Sequence, residues 1–214
     1  MSSTEQKRDQ KGLSKVLVYG VIALLLLVLP AMSYFYLYKG FQWRVEAQSE
    51  LQDYGKIRAA YKIKEDGTEV DLLKGKICVL HLFGENPGLT AANKSVLDNG
   101  EELFKQFGYK TGSDRDDFRI VMIAEGSSPE FRTYAQSRPS ANMRNWVWTG
   151  GIGSWTTILK NSFDYYCVKN KIEPYPAYFA VSDTTGVIRR FYNAENPEEV
   201  KRMVQQIAIL LPKE

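Results

Sequence analysis

Hydrophobic and polar positions change their spacing several times along this chain, and each spacing predicts an element. Two continuous apolar runs, at 77–83 (ICVLHLF) and 118–124 (FRIVMIA), are typical of strands that are buried on both faces of a sheet. Between them, apolar residues recur at helical spacing over 89–107 and end at a glycine, which predicts one helix or a broken pair of helices. Ser128 followed by Pro129 predicts the start of a further helix, with serine as the cap.

The flanking segments complete this plan. A hairpin is predicted over 57–73, with its turn at 65–67, and a helix over 154–163. The segments 177–182 and 187–192 read as antiparallel strands joined by a turn, and Asn196 caps a terminal helix that carries one apolar stripe. Strands separated by helices favour parallel pairing, and the late hairpin adds antiparallel strands. We therefore expect an α/β, thioredoxin-like fold with a central mixed sheet and an N-terminal hairpin.

Ahead of this domain lies a segment of different character. The 23 residues at 16–38 carry no charge and, as a helix, reach roughly 34 Å, enough to cross a hydrocarbon layer of about 30 Å. This predicts a cytoplasmic tail at 1–15, a transmembrane helix at 16–38, a polar stalk at 39–54 and an extracytoplasmic domain at 55–214. Two alternatives remain: a cleaved signal peptide, because Ala31 and Ser33 are suitably small, and a buried core helix.

Charge gives the orientation of the span and bears on the class of partner. Four Lys/Arg residues precede the apolar run and only two follow closely, which favours a cytoplasmic N-terminus and, in a bacterium, a periplasmic domain. Without the first fifteen residues the chain has 24 basic and 23 acidic side chains. Because no basic field remains, we expect no nucleic-acid partner.

One stretch, at 75–93 (GKICVLHLFGENPGLTAAN), resembles the signature of the SCO/SenC family, membrane-anchored copper chaperones of cytochrome oxidase. Further similarities to that family are EDG at 65–67, SSPEFRTYAQ at 127–136, WTG at 148–150 and the tail YFAVSDTTGVIRRFYN. The resemblance covers about 155 residues and includes an anchor of the same type. It implies a thioredoxin-like fold and a link to respiratory oxidase assembly.

The resemblance fails at the positions that carry the family's chemistry. Counted without gaps, the two metal-binding cysteines fall on Gly88 and Ala92, and the metal-binding histidine falls on Tyr175. Copper(I) needs thiolate or imidazole donors, and disulfide exchange needs a pair of thiols. We therefore expect a degenerate site with no metal, no cofactor and no catalytic residue at this loop, and a protein that is not an enzyme.

The remaining soft donors do not suggest a replacement site. Cys78 and His81 lie three residues apart on one predicted strand, so their side chains should point to opposite faces. Cys78 and Cys167 are either bridged or two buried thiols, and His81 is expected to be a core residue rather than a ligand. Pro176 is either the cis-proline typical of thioredoxin-like folds or an ordinary proline at a strand start. The acidic run at 114–117 is expected to be a solvated turn and not a calcium site.

Three tryptophans, Trp146, Trp148 and Trp155, crowd a segment rich in glycine and polar residues. They would serve either as a docking surface, because exposed aromatic side chains concentrate binding energy at interfaces, or as core filling beneath a long loop.

The leading hypothesis is a membrane-anchored accessory or assembly protein of a respiratory oxidase that acts by protein contact. One alternative is a working copper chaperone with unusual ligands, such as Cys78, Cys167 or Met143. The other is a thiol oxidoreductase or peroxidase. The sequence leaves open the partner's identity and the oligomeric state.

Overall fold

The computed structural model describes residues 3–56, 60–62, 69–71, 73–110, 113–149 and 177–211. The chain divides into two compact units, Met1–Glu46 and Ala47–Glu214. The predicted helix at 154–163, together with Trp155, Cys167, Tyr175 and Pro176, lies outside the described residues.

The elements that the structure describes alternate between strands and helices after one long N-terminal helix. In chain order they are α1 (Ser3–Ser49), β1 (Ala60–Lys62), β2 (Glu69–Asp71), β3 (Ile77–Glu85), α2 (Ala91–Phe107), β4 (Tyr109–Lys110), β5 (Ser113–Asp114), β6 (Phe118–Glu125), α3 (Pro129–Gln136), a 3₁₀ turn (Pro139–Asn142), β7 (Trp146–Thr149), β8 (Tyr178–Ser182), β9 (Ile188–Asn193) and α4 (Pro197–Leu210).

Helix α1 contains the predicted span. Its segment Leu17–Ser49 includes a window of mean hydropathy 2.2, and the residues of that window are not buried. Pro30 lies inside the helix. Aromatic side chains cluster at the C-terminal end of the apolar span, where the rings of Tyr34 and Tyr38 are stacked. By length and composition, this helix can cross a membrane.

The central sheet has the order β7-β6-β3-β8-β9. Strands β3, β6 and β7 are parallel, whereas β8 pairs antiparallel with both β3 and β9. The predicted mixed thioredoxin-like sheet is therefore confirmed, and β1 and β2 form the expected N-terminal hairpin. Strand β7 was not predicted, because only four residues of mixed aromatic character form it.

Two layers of apolar side chains cover the sheet. One face of the sheet, here called the first face, packs against α2 and α4. The strands contribute Val79, Ile120, Met122, Phe179 and Val181 to this core, and the helices contribute Val96, Phe104, Met203 and Ile207. The opposite or second face is smaller and includes Leu73, Cys78, Leu80, Leu82, Val121, Ile123, Ala180, Ile188 and Phe191. Alternation along β3 sends successive residues to opposite faces, which explains why its run is apolar throughout.

The helix starts follow their sequence signals. The hydroxyl of Thr90 accepts a hydrogen bond from Asn93 N at 3.1 Å, and that of Ser128 accepts one from Phe131 N at 3.2 Å. The side chain of Asn196 caps α4 in the same way. Each cap satisfies one backbone donor that has no partner within its own helix, so helix boundaries on either side of the sheet are fixed locally.

The predicted stalk at 39–54 does not behave as one segment. Glu50 accepts hydrogen bonds from Arg202 on both carboxylate oxygens, at 2.7 and 2.8 Å, and also from Arg190. Gln206 donates to the carbonyl oxygen of Ala47 at 2.7 Å and to Glu50 at 2.9 Å. The chain from residue 47 onward is therefore held by the same compact unit as the sheet.

The next residues continue along the edge of β9. Gln52 N donates to Arg189 O at 2.9 Å, and Tyr54 N donates to Ile188 O at 3.0 Å. Ile188 N in turn donates to Gly55 O at 3.0 Å. The boundary predicted at residue 54/55 is thus too late, because these backbone bonds make 47–54 part of the domain.

Candidate functional site

The candidate site is the loop that joins β3 to α2, residues 86–90, where the family's chemistry would be expected. Asn86 adopts a positive φ of 46°, a conformation that asparagine tolerates better than most residues. Ser128 N donates to Pro87 O at 3.1 Å and so ties this loop to the one between β6 and α3. The loop therefore lies where the parallel strands β3 and β6 both end.

Gly88 and Ala92 occupy the two ends of this corner. The carbonyl oxygen of Gly88 accepts hydrogen bonds from Thr90 N at 3.0 Å and from the amide of Asn93 at 2.8 Å. Ala92 lies in the first turn of α2 and packs against the first-face core. Glycine and alanine side chains offer no metal ligand and no nucleophile, so these two positions present only backbone and apolar surface.

A copper ion does not fit the donor set at this corner. Copper(I) prefers thiolate, thioether or imidazole ligands, and Gly88 and Ala92 supply none of these. Within the described parts of the chain, no group of three or more His, Cys, Asp and Glu side chains is placed to hold a metal ion. In the acidic run, Asp117 binds Arg115 at 2.5 Å and Asp116 faces Arg144 at 3.5 Å, so both carboxylates lie near cations.

His81 is buried behind the loop and is 1% exposed. Its Nδ1 lies 2.8 Å from the carbonyl oxygen of Tyr178, and because a carbonyl only accepts, Nδ1 carries the proton. Burial lowers the pKa of His81 to about 4, so the ring is neutral near pH 7. Its ring contacts Phe83 and Phe179, which are first-face residues, whereas Cys78 belongs to the second face. The two donors therefore cannot share one metal ion.

An aromatic cluster supports the loop from below. Phe83 lies nearly parallel to Trp148, with ring centroids 6.0 Å apart, and meets Phe131 edge to face at 4.9 Å. Phe131 and Trp148 also meet edge to face, at 6.3 Å. Such pairs add to the free energy of burial, so these three rings fix the end of β3 relative to α3.

The structure describes two of the three tryptophans, Trp146 and Trp148. Trp146 is 4% exposed and packs in the first-face core, so the structure supports core filling rather than docking for this ring. Trp148 is partly buried within the aromatic cluster. Trp155 lies outside the described residues.

Beside the loop runs an open groove of about 510 Å³. It is lined by Leu89, Pro129, Glu130, Thr133, Tyr134 and Ser137. Leu89 is 41% exposed, which is unusual for a large apolar side chain in this domain. The sequence analysis missed this groove because the residues come from the loop and from α3, which only the tertiary fold brings together.

Cys78 is completely buried, and its Sγ lies 3.8 Å from the carbonyl oxygen of Lys76. Because Cys167 lies outside the described residues, the two alternatives for this cysteine pair remain a prediction. The same holds for Tyr175 as the third degenerate position and for the cis or trans state of Pro176.

Comparison with protein-family models and with curated proteins finds no match to this chain. Among solved structures, a SCO1/SenC family lipoprotein from Bacillus anthracis str. Ames aligns with TM-score 0.50 and 18% identity, over 74% of this chain and 97% of that one. A candidate protein disulfide isomerase from Bacteroides thetaiotaomicron aligns with TM-score 0.48 and 19% identity, over 74% and 90%. Apo Sco1 from Thermus thermophilus aligns with TM-score 0.46 and 12% identity, over 75% and 98%. The alignment with the SCO1/SenC family lipoprotein confirms the resemblance at the level of the fold.

Proposed function

We propose that this chain is a single-pass membrane protein whose thioredoxin-like domain acts by protein contact, as an accessory or assembly factor of a respiratory oxidase. The proposal rests on the chemistry of the corner formed by the loop at 86–90 and the first turn of α2, where Gly88 and Ala92 stand at the positions that counting without gaps gives to the family's two cysteines. A loop without thiols cannot exchange disulfides or pass on copper by the family's route. What it can still do is present a surface.

The groove beside the loop is the surface that we assign to this contact. Its apolar residues, Leu89 and Pro129, lie next to Tyr134, and Tyr134 is held in place because its hydroxyl donates to Asp98 at 2.7 Å. Aromatic side chains that are already fixed lose little conformational entropy on binding. The occupant that we propose is a membrane-bound oxidase subunit, in line with the resemblance.

The proposal also includes topology. The anchor is the segment 16–38 within α1, retained in the mature protein, with a cytoplasmic N-terminus and a periplasmic domain. The charge bias around the span supports this orientation.

The experiment is to purify the full chain in detergent and to identify the proteins that accompany it. Recovery of oxidase subunits with the wild type and their loss with Leu89→Asp is the expected result. Tyr109→Asp is the matched control, because Tyr109 is also 41% exposed but lies outside the groove. The proposal fails if oxidase subunits are absent, or if both variants lose them equally.

A further inference from the structure

Helix α1 does not end where its uncharged span ends. The span closes at Tyr38, but the helix continues without a break to Ser49. Residues 39–46, which follow the span directly, belong to the N-terminal compact unit and not to the domain. We call residues 39–46 the juxtamembrane segment. Because this segment is helical, the rise of the helix fixes how far each of its residues lies from the end of the span.

Three large apolar side chains of the juxtamembrane segment are exposed. Phe41 is 66% exposed, Val45 is 49% exposed and Trp43 is 37% exposed. A polar stalk, which the sequence predicts for this part of the chain, would leave a phenyl and an indole ring in water, where apolar surface is unfavourable. Neighbouring exposed apolar side chains of this size indicate a surface that another molecule covers.

These side chains lie around the helix and do not form a single stripe. Phe41 and Val45 are four residues apart and share one face, and Tyr34 and Tyr38 continue the same face into the span. Trp43 is two residues from Phe41, which at 3.6 residues per turn places it about 200° away, on the opposite face. A second helix or a protein groove covers one face of a helix, whereas lipid surrounds a helix on all sides. The arrangement therefore favours lipid as the occupant.

The depth of the two rings matches the headgroup layer of a bilayer. A rise of 1.5 Å per residue places Phe41 about 4.5 Å and Trp43 about 7.5 Å beyond Tyr38, the last residue of the span. A hydrocarbon core of about 30 Å within a bilayer of about 40–45 Å leaves roughly 5–7.5 Å for the headgroups on each side. Tryptophan is enriched in this layer, because its ring is apolar and its N–H is polar.

Polar groups and aromatic rings occur at the same height along this part of α1. The amide of Gln42 donates a hydrogen bond to the hydroxyl of Tyr38 at 2.7 Å. The ammonium group of Lys39 lies 4.7 Å from the centre of the Phe35 ring. Both polar side chains reach back one turn toward the span, so their polar atoms lie beside its last rings. This mixture suits the headgroup layer better than it suits hydrocarbon or open water.

We propose that residues 39–43 lie in the lipid headgroup layer, with Phe41 and Trp43 as interfacial anchors on opposite faces of the helix and with Lys39 beside the lipid phosphates. Only three residues separate Trp43 from Ala47, where the domain begins. The domain is thereby confined to the membrane surface, where it can meet only partners that are themselves at the membrane. This inference rests on the proposed topology, in which α1 is a retained anchor.

The fluorescence of Trp43 tests this depth directly. The full chain is reconstituted into phosphatidylcholine vesicles that carry a nitroxide either on the headgroup or near the end of the acyl chain, and iodide serves as the quencher in water. Trp43→Phe gives the emission of the other three tryptophans, which is subtracted. We expect the headgroup nitroxide to remove at least about twice as much Trp43 emission as the acyl-chain nitroxide does, and iodide to remove little.

Two further reporters are placed in the Trp43→Phe background. Phe41→Trp moves the indole to the opposite face at nearly the same depth, and we expect the same preference for the headgroup nitroxide. Leu26→Trp places the indole near the middle of the span, at a side chain that is 69% exposed in the absence of lipid. For that reporter we expect the acyl-chain nitroxide to be the stronger quencher.

The outcomes separate this inference from the topology on which it rests. Strong quenching of Trp43 by iodide, with little by either nitroxide, would mean a solvated stalk and would overturn the proposal. Quenching by the headgroup nitroxide at only one of positions 41 and 43 would also overturn it, because a protein then covers the other face. If Leu26→Trp escapes the acyl-chain nitroxide, the anchor fails and the inference fails with it. If Leu26→Trp is quenched and the reporters at 41 and 43 are not, the inference alone is wrong.

Discussion

Replacing Glu50 by glutamine should weaken the domain although Glu50 lies far in sequence from the sheet. Hydrogen bonds from Arg202, and the charges of Arg190 and Arg202, hold the pKa of Glu50 at about 2 against a smaller opposing effect of burial. A fall from 4.5 to about 2, at about 1.4 kcal/mol per pKa unit, corresponds to roughly 3 kcal/mol. Because the side chain is 31% exposed, solvent screening reduces the expected loss in Glu50→Gln to about 1–2 kcal/mol.

The pH dependence follows from the sign of this shift. A carboxyl with a depressed pKa stabilises the folded state fully above its unfolded value, near 4.5, and the contribution disappears as pH falls toward about 2. Urea unfolding of the full chain, followed by tryptophan fluorescence at pH 7 and at pH 3, measures it. We expect a larger difference between wild type and Glu50→Gln at pH 7 than at pH 3.

Glu195→Gln is the control, because Glu195 is exposed, and its unfolding free energy should stay within about 0.5 kcal/mol of wild type. Equal losses for Glu50→Gln and Glu195→Gln, or a Glu50→Gln loss that is the same at both pH values, would refute the reasoning. Either result would mean that the ion pairs of Glu50 contribute nothing net to the fold.

Three further predictions concern the core. In the folded protein His81 stays neutral down to about pH 4, whereas in the unfolded chain it takes up a proton near pH 6.5. The free energy of unfolding of the wild type should therefore fall by up to about 3 kcal/mol as pH is lowered from 6.5 to 4. In urea unfolding at several pH values, His81→Phe should reduce this dependence on pH. Gly100→Ala should cost about 1–3 kcal/mol by thermal unfolding, despite better helix propensity, because the new Cβ would lie 2.7 Å from Met122 Cε and 2.9 Å from Trp146. Phe131→Ala should lower the free energy of unfolding, measured with urea, by about 3–5 kcal/mol, because Phe131 is 1% exposed and its removal leaves a cavity in the core. A loss below about 1 kcal/mol would contradict this packing.

Elements with strong local signals were predictable. The apolar run of β3 and the capping residues Ser128 and Asn196 each specify a structure from neighbouring residues alone. The structure confirms these elements. They were predictable because a strand buried on both faces needs a continuous apolar run, and a capped helix start needs only the capping residue and its neighbours.

Features that depend on distant partners were not predictable. Glu50 lies 140 residues from Arg190 and 152 from Arg202, so the polar segment before the domain reads as a stalk until the fold is known. The same applies to the groove at Leu89 and to the burial of Trp146, which composition alone leaves open. The opposite facing of Cys78 and His81 did follow from the sequence, because it needs only the period of a strand.

The central claim is that the chain acts by protein contact and not by copper transfer, because the corner between β3 and α2 offers no soft donor. Titration of the full detergent-solubilised chain with copper(I), in competition with a chromophoric chelator, tests it most directly. The account predicts no stoichiometric tight binding, because Gly88 and Ala92 provide no soft donor. Stoichiometric tight binding that a Cys78→Ser or Cys167→Ser substitution abolishes would contradict it and favour a working copper chaperone.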